Sequence, residues 1–248
     1  MNKTTITYRK VKLNNPVLIV GLPGIGNVGN LVAQYLIQKL NAKQFATLHS
    51  PHLPYMIIAL ADGSFRLVNN RFYYYKGAKR DIVILTGDYQ PASSEGQYDV
   101  SEKIVKFFKS IGGKEVYTIG GYSAADRYVQ KPRVFGVSAD KSIRSKLEKA
   151  SVIFGAVPNL SIIGAAGLIV AFAKKHKLPA ACVMGETGML EVDANSAKSV
   201  LETLSKVFGI KIDLNDINAL QKETEKFIKE LEESSGQSHK DEFPNYIK

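Results

Sequence analysis

The sequence has a single cysteine, Cys182, and no tryptophan. An intramolecular disulfide is therefore excluded, which is typical of proteins that fold in a reducing compartment. Long apolar runs are also missing. The longest, residues 162–173, is far shorter than the ~20 residues that a membrane-spanning helix needs. The first residues lack the apolar core of a signal peptide. The sequence thus predicts a cytoplasmic protein with no membrane partner.

Acidic residues are scarce in the first third of the chain. The 248 residues include 33 Lys and Arg against 23 Asp and Glu, a formal net charge of +10. Residues 1–80 hold eleven of these cations and one acid, Asp62. The cations are scattered singly, unlike the clustered footprint of a nucleic-acid-binding surface. We therefore expect no nucleic-acid partner, while the positive charge favours either an acidic protein partner or simply a solvated surface.

The most informative stretch is residues 16–40, which read PVLIVGLPGIGNVGNLVAQYLIQKL. An uninterrupted apolar run, residues 17–20, predicts a strand buried on both faces. The spacing Gly24-x-Gly26-x-x-Gly29 matches the dinucleotide-binding fingerprint, and a helical pattern follows it. Strand, glycine turn and helix are the context in which such a fingerprint holds a pyrophosphate.

The rest of a nucleotide site is missing. A dinucleotide site needs an acid about 20 residues further on, but the first acid in the chain is Asp62. A phosphate-binding loop needs lysine after the glycines, but Gly29 is followed by Asn30. We therefore predict a structural turn and no bound cofactor. The residues of this turn are Gly21, Pro23, Gly24, Gly26 and Gly29.

Strand and helix patterns alternate through most of the remaining chain. Residues 56–68 predict a β-hairpin, whose turn at Asp62-Gly63 needs positive φ at both positions. Helices are predicted over residues 99–111, 140–149, 161–174 and 196–208, with another starting at Asp213. The predicted fold is a single three-layer α/β/α domain over residues 1–233, with a mixed, largely parallel central sheet and C-terminal helices. Residues 234–248 predict a flexible tail.

Three apolar segments predict a homo-oligomer. The helix at 161–174 is apolar on all sides and is expected to be buried, partly at an interface. The run at 72–75 predicts an edge or interface strand, and the last helix carries an apolar stripe. Together they offer more apolar surface than one domain covers, and large exposed patches mark interfaces.

Acidic residues at or after predicted strand ends are the candidates for chemistry, because α/β folds place ligand sites there. They are Asp88, Glu95, Asp126 and Glu186. A small-molecule cleft is one reading, and helix caps or loop hydrogen bonds are the other. No serine, histidine or cysteine set completes a catalytic or metal site. We therefore predict no catalytic residue and no metal ligand.

Several motifs together resemble the archaeal proteasome assembly chaperone family. They are the turn PGIGNVGNLVAQYLI, then TGDYQPASSEGQYDV, GGY, VPNLSIIGAAGLIVAFA and MGETGM, in that order. The resemblance covers residues 16–208. It implies an α/β fold related to nucleoside phosphorylases, no enzymatic activity, self-assembly, and proteasome α subunits as partners. The alternative is an enzyme or sensor of nucleosides or nucleotides, in the manner of nucleoside phosphorylases or ATP-grasp proteins.

The tail departs from the family pattern. Members that dock on the proteasome typically end in a hydrophobic residue, a tyrosine and one further residue. Here the corresponding tyrosine lies one place early, after Asn245. The resemblance implies Tyr246, Ile247 and Lys248 as partner-binding residues. A family member that assembles without binding the proteasome fits the same departure.

Overall fold

The computed structural model describes residues 3–123, 129, 131–155, 161–188, 192–217, 219, 222 and 226. The strands in this part of the chain are β1 (Thr5–Tyr8), β2 (Val17–Gly21), β3 (Lys43–His49), β4 (Ile57–Ala59), β5 (Phe65–Leu67), β6 (Asn70–Tyr75), β7 (Ile82–Gly87), β8 (Glu115–Ser123), β9 (Val134–Ser138), β10 (Ile153–Phe154) and β11 (Ala180–Thr187). The α-helices are α1 (Val28–Lys39), α2 (Ser94–Ser110), α3 (Lys141–Lys149), α4 (Ala165–Lys175) and α5 (Ala194–Phe208).

Nine strands form one mixed sheet in the order β1-β3-β6-β7-β2-β8-β11-β9-β10. The four central strands, β7, β2, β8 and β11, are parallel to one another. Every residue of β2, β7 and β11 is buried, as expected for parallel strands covered on both faces. The antiparallel pairings lie outside this centre. The predicted mixed α/β sheet is confirmed, with its parallel part in the middle.

Helices cover both faces of the sheet. Helices α1, α3 and α5 pack on one face with Val17 and Ile19. Helices α2 and α4 pack on the other face with Leu18 and Val20. Because neighbouring residues of a strand point to opposite faces, one buried strand supplies both cores. The predicted three-layer α/β/α arrangement is confirmed.

Side-chain caps set the starts of three helices. The carboxylate of Asp140 accepts from the backbone N–H of Ile143 at 2.9 Å, so the predicted cap of α3 is confirmed. Asp193 caps α5 in the same way. Helix α2 begins at Ser94, because Ser93 caps it by accepting from Gly96 N–H at 3.1 Å. The predicted start at residue 99 was wrong, since the apolar stripe begins only after a polar first turn.

The hairpin β4–β5 forms a separate two-stranded sheet with the register Ile57↔Leu67. Its turn has positive φ at Gly63 only, at +79°. The prediction of two left-handed residues was therefore wrong. Asp62 instead accepts hydrogen bonds from the backbone N–H of Ser64 at 3.0 Å and from its hydroxyl at 2.6 Å. The aspartate stabilises the turn through its side chain.

Two of the segments predicted to form interfaces differ from the prediction, one in its position in the sheet and one in its burial. The run at 72–75 belongs to β6, which lies between β3 and β7 inside the sheet, with Phe72 fully buried. The prediction of an edge strand there was wrong, because the backbone of β6 pairs with β3 on one side and with β7 on the other. Helix α4 buries only Ala165, Ile169 and Ala173. Its remaining apolar surface is partly exposed in the single chain.

The helix predicted from Asp213 is described at residues 213–217 and then at residues 219, 222 and 226. The carboxylate of Asp213 accepts from Asn215 N–H at 3.0 Å. The hydroxyl of Tyr35 in α1 donates to the carboxylate of Asp216 at 2.6 Å and to the carbonyl of Asp213. Ile217 is buried against the α1 side of the core. These contacts join the segment to α1, and the tail predicted at 234–248 lies outside the described residues.

Candidate functional site

The glycine turn connects β2 to α1 at the carboxyl end of the parallel strands. A short 3-10 turn, Ile25–Asn27, precedes the helix. Gly26 and Asn27 both have left-handed backbone, with φ of +58° and +47°. The N–H of Asn27 donates to the carbonyl of Gly24 at 2.8 Å. Two consecutive left-handed residues turn the chain sharply enough for α1 to run back along the sheet.

Three of the glycines lie where a side chain has no room. A Cβ atom on Gly21 would overlap the carbonyl oxygen of Gly29 and lie 2.7 Å from the Cβ of Ala33. A Cβ on Gly29 would lie 2.5 Å from the carbonyl oxygen of Ile119 in β8. A Cβ on Gly26 would lie 2.6 Å from the hydroxyl of Thr187. Close packing of the turn, the helix and two strands accounts for these glycines without a ligand.

Polar contacts from three other segments hold the turn. The Nε2 of Gln90 donates to the carbonyl of Pro23 at 2.6 Å, and its Oε1 accepts from Ala165 N–H at 2.9 Å. The N–H of Asp193 donates to the carbonyl of Gly26 at 2.9 Å. Within the described part of the chain, the buried Oδ1 of Asn27 has no hydrogen-bond partner. The turn is therefore tied to α4 and to α5 by protein groups.

The strand topology explains why the second half of a nucleotide site is missing. In a dinucleotide-binding unit the second strand lies beside the first, and its end carries the ribose acid. Here β3 follows α1 but is separated from β2 by β6 and β7. The end of β3 therefore does not lie beside the glycine turn. The sequence shows the missing acid, but not the displaced strand.

Asp88, directly after β7, has a side chain that is only 3% exposed and is paired with arginine. Its carboxylate accepts two hydrogen bonds from Arg66, at 2.6 and 2.8 Å. It also accepts from Arg71 at 3.1 Å and from the N–H of Asn69 at 3.1 Å. The hydrogen bond to Asp88 raises the pKa of Arg66 above its ordinary value. Asp88 thus joins the hairpin to the sheet, which is the structural reading of this acid.

Glu186, in β11, has a similar environment. Its side chain is 3% exposed, and it accepts from the Nε of Arg133 at 2.8 Å and from the NH2 group at 2.7 Å. The backbone N–H of Arg133 donates to it as well, at 3.2 Å. Of the other two predicted acids, Glu95 lies exposed in the first turn of α2. Asp126 lies outside the described residues. The structure holds Asp88 and Glu186 in separate ion pairs, and among the described residues no hydrogen bond or ion pair joins either of them to Glu95.

The outer face of the hairpin is an exposed apolar surface that the sequence reasoning missed. Its exposed fractions are 86% for Tyr55, 56% for Ile57, 68% for Phe65 and 51% for Leu67. We call these four residues the hairpin face. The opposite side of the hairpin points inward, with Ile58 buried. The signal was present in the sequence, since residues 56–60 are apolar at every position and therefore on both sides of a strand.

Three further predictions concern the partner-binding residues, metal ligands and membrane-spanning helices. Tyr246, Ile247 and Lys248 lie outside the described residues. Among the residues that are described, no group of three or more histidine, cysteine or acidic side chains is placed to hold a metal ion. No helix in that part of the chain is both long and apolar enough to cross a membrane.

Comparison with known proteins gives matches along nearly the whole chain. A model of the PAC2 family matches residues 18–232. The chain is 35% identical over 230 residues to the uncharacterized protein MJ1210 of Methanocaldococcus jannaschii, which covers 91% of this chain and 88% of that protein. It is 24% identical over 245 residues to the uncharacterized protein MJ0106 of the same organism, covering 96% and 95% of the two chains.

Solved structures give the same result. Pyrococcus furiosus PbaB, described as an archaeal proteasome activator, is 36% identical, with a TM-score of 0.82 over 94% of this chain and 100% of that chain. Pyrococcus furiosus PbaA, described as an archaeal homolog of proteasome-assembly chaperone, is 21% identical, with a TM-score of 0.75 over 94% and 100% of the two chains. At that lower identity the second likeness concerns the fold alone.

Proposed function

The chain belongs to the PAC2 family, and on that basis we propose that it is a non-enzymatic, self-assembling chaperone or adaptor that binds proteasome α subunits. The observation that carries the proposal is the likeness to PbaB, an archaeal proteasome activator, at 36% identity over 94% of the chain. The sequence resemblance to archaeal proteasome assembly chaperones is confirmed by this family membership.

The strand-end chemistry supports a binding role rather than catalysis. Asp88 and Glu186 are each held by arginine within the chain. A general acid or base must reach a proton of the substrate. A carboxylate that is enclosed by two or more hydrogen-bond donors of its own chain leaves a substrate little access to its oxygens. The Oδ1 of Asn27, which has no partner among the described residues, is not an argument for a bound nucleotide. A glycine fingerprint holds phosphate through N–H donors, whereas this oxygen is an acceptor.

Self-assembly is proposed to involve the hairpin face. Large apolar side chains that stay exposed on a monomer mark interaction surfaces. Of the two charged residues of the hairpin, Arg66 is paired with Asp88, and Asp62 lies in the exposed turn, outside the four residues of the hairpin face. A contact between two hairpin faces therefore brings no unpaired charges together, whereas most of the surface of a chain with net charge +10 repels a second copy. We infer that a second copy of this chain covers the hairpin face.

Replacing Phe65 by aspartate is expected to dissociate the oligomer, because it places a charge at the centre of the buried apolar contact. Light scattering coupled to size-exclusion chromatography measures the mass. The control is Ile153→Asp, which adds the same charge at an exposed residue in β10, at the far edge of the sheet. The parent and the control are expected to remain oligomers. A monomeric parent, or a Phe65→Asp variant with the parent's mass, would contradict the assignment.

The tail is proposed to act as a tethered peptide for the proteasome. Tyr246 is the anchor, since an aromatic ring fills a pocket and the preceding polar residues serve as a linker. A single short contact is weak, but an oligomer that presents several tails gains through effective concentration. Because the tyrosine is one place out of register, we expect a modest contribution.

Comparing binding to proteasome α subunits by three chains tests the tail. They are the full chain, a chain that ends at residue 233, and Tyr246→Ala. The two altered chains are expected to bind a few-fold more weakly, as measured by biolayer interferometry. Equal binding by all three would place the interface on the folded domain. Absence of binding by any of them would favour a family member that assembles without the proteasome.

A further inference from the structure

A groove of about 440 Å³ lies between the open edge of the sheet and helix α2. It is separate from both the glycine turn and the hairpin face. Its floor and walls come from the start of the chain, including β1, and from the middle of α2. The lining residues that matter here are Lys3, Thr5, Ile6, Lys103, Lys106 and Phe107. A groove bounded by an edge strand and a helix is a geometry in which proteins add an extended peptide as an extra strand.

The backbone of β1 presents unused hydrogen-bonding groups to this groove. Among the described strands, β1 pairs only with β3. The N–H of Arg9 donates to the carbonyl of Phe45 at 2.9 Å, in the antiparallel register Tyr8↔Ala46. In such a ladder alternate residues bond to the same neighbour. Residues 5, 7 and 9 therefore bond to β3, and the N–H and C=O groups of Ile6 and Tyr8 point to the open edge.

The charge around the groove is positive. Lys3, Lys103 and Lys106 line it, and Arg9 and Lys10 lie exposed at the end of the same strand. Two acids of α2 lie nearby, fewer than the lysines, and each has a hydrogen-bond or ion-pair partner within the chain. Asp99 accepts from the hydroxyl of Thr4. Glu102 pairs with Lys175 at 3.0 Å, Lys106 at 3.0 Å and His176 at 3.1 Å. Among the described residues, Lys3 and Lys103 form no ion pair.

We propose that this groove binds an extended acidic segment of a partner protein, which adds to β1 as a new edge strand. The backbone of the segment bonds to Ile6 and Tyr8, and its carboxylates face Lys3 and Lys103. The proposal goes beyond the tail-mediated contact and is independent of it. It gives a specific role to Lys3, one of the many cations in the first third of the chain.

Two other occupants fit less well. A second copy would bring the same lysines face to face, and lysines at an open edge are a common means of preventing such pairing. Single-stranded nucleic acid needs exposed rings on which bases stack. Tyr8 lies near the groove and is 48% exposed, but it offers a single ring, and Phe107 in the groove lining is buried, with the two ring centroids 5.1 Å apart. An acidic peptide uses both the open backbone and the lysines.

A labelled probe peptide that alternates glutamate and valine tests the charge contribution, with fluorescence anisotropy as the measurement. Reversing the two groove lysines that face the carboxylates, Lys3→Glu with Lys103→Glu, is expected to weaken binding at least tenfold. The matched control is Lys141→Glu with Lys149→Glu, an equal change in net charge on α3 at the opposite face of the sheet. The control is expected to change affinity less than threefold. Equal weakening by both pairs would show general charge attraction and would overturn the proposal.

Two further measurements test the backbone contribution. Hydrogen exchange of the amides of Ile6 and Tyr8 is expected to slow when the full chain binds the probe. Tyr8→Pro removes an outward N–H and should weaken binding at least fivefold more than Tyr8→Ala, which removes only the ring. Unchanged exchange, or equal effects of the two substitutions, would overturn strand addition. Oligothymidine added at the same concentration of negative charges as the peptide is expected not to displace the probe, and displacement would overturn the peptide assignment. A probe that fails to bind saturably would overturn it as well.

Discussion

Replacing Gly21 by alanine is expected to lower the free energy of unfolding by about 3–5 kcal/mol, at the upper end of effects for single substitutions. The added methyl group would overlap the carbonyl oxygen of Gly29 in α1 and crowd the Cβ of Ala33. Neither the helix backbone nor the fully buried strand β2 has room to move away. Forcing extra volume into a packed core costs energy through displaced backbone. Urea denaturation followed by circular dichroism measures the loss.

Gly24→Ala is the matched control for this substitution. Gly24 has extended backbone, with φ −179°, which any residue adopts. A Cβ there lies at an ordinary contact distance of 3.7 Å from Nε2 of Gln90. The control is expected to change the free energy of unfolding by less than ~0.5 kcal/mol. If Gly21→Ala were as stable as Gly24→Ala, the close approach of α1 to β2 would be wrong.

Replacing Asp88 by alanine is expected to lower the free energy of unfolding by about 3 kcal/mol, since it removes one partner from a largely buried ion-pair cluster. The side chain of Asp88 is 3% exposed, and those of Arg66 and Arg71 are 25% and 23% exposed. The loss would leave two arginines without their carboxylate. Because Arg66 lies in β5, the hairpin is also expected to detach and to be cleaved faster by protease within residues 60–64.

Asp62→Ala is the control for the second substitution. Asp62 is the other acid of the hairpin region, but it lies exposed in the turn and accepts its hydrogen bonds from the neighbouring Ser64. We expect it to lower the free energy of unfolding only slightly, because an exposed hydrogen bond has a small net value, and to change the cleavage rate much less than Asp88→Ala does. Similar behaviour of Asp62→Ala and Asp88→Ala would mean that Asp88 does not hold the hairpin to the sheet.

The parts of the fold that the sequence predicts well are those set by local pattern. Apolar runs identify β2, β7 and β11, because strands buried on both faces need apolar residues at every position. The cap at Asp140 identifies the start of α3. The failures have physical reasons too. The start of α2 was predicted too late because the first turn of this helix is polar. Residues 72–75 were predicted as an edge or interface strand, but β6 pairs on both sides, and strand order cannot be read from a local pattern.

The candidate site was harder to predict, because its contacts join residues that lie far apart in the chain. The pairing of Asp88 with Arg66, and of Glu186 with Arg133, depends on the strand order and not on spacing. Gln90 bridges Pro23 and Ala165 for the same reason. The glycine spacing predicted the turn, but it did not show that Thr187 and Ile119 close over it. The exposure of the hairpin face could not be predicted either, because it depends on which side of β4 the rest of the domain covers.

The most direct test of the central claim is affinity purification of the tagged full chain from its native cell, with the co-purifying proteins quantified by mass spectrometry. The account predicts that proteasome α subunits are enriched with the full chain, and enriched less with the chain that ends at residue 233. A sample with no α subunits above the level of an untagged control, under conditions that preserve the proteasome, would contradict it.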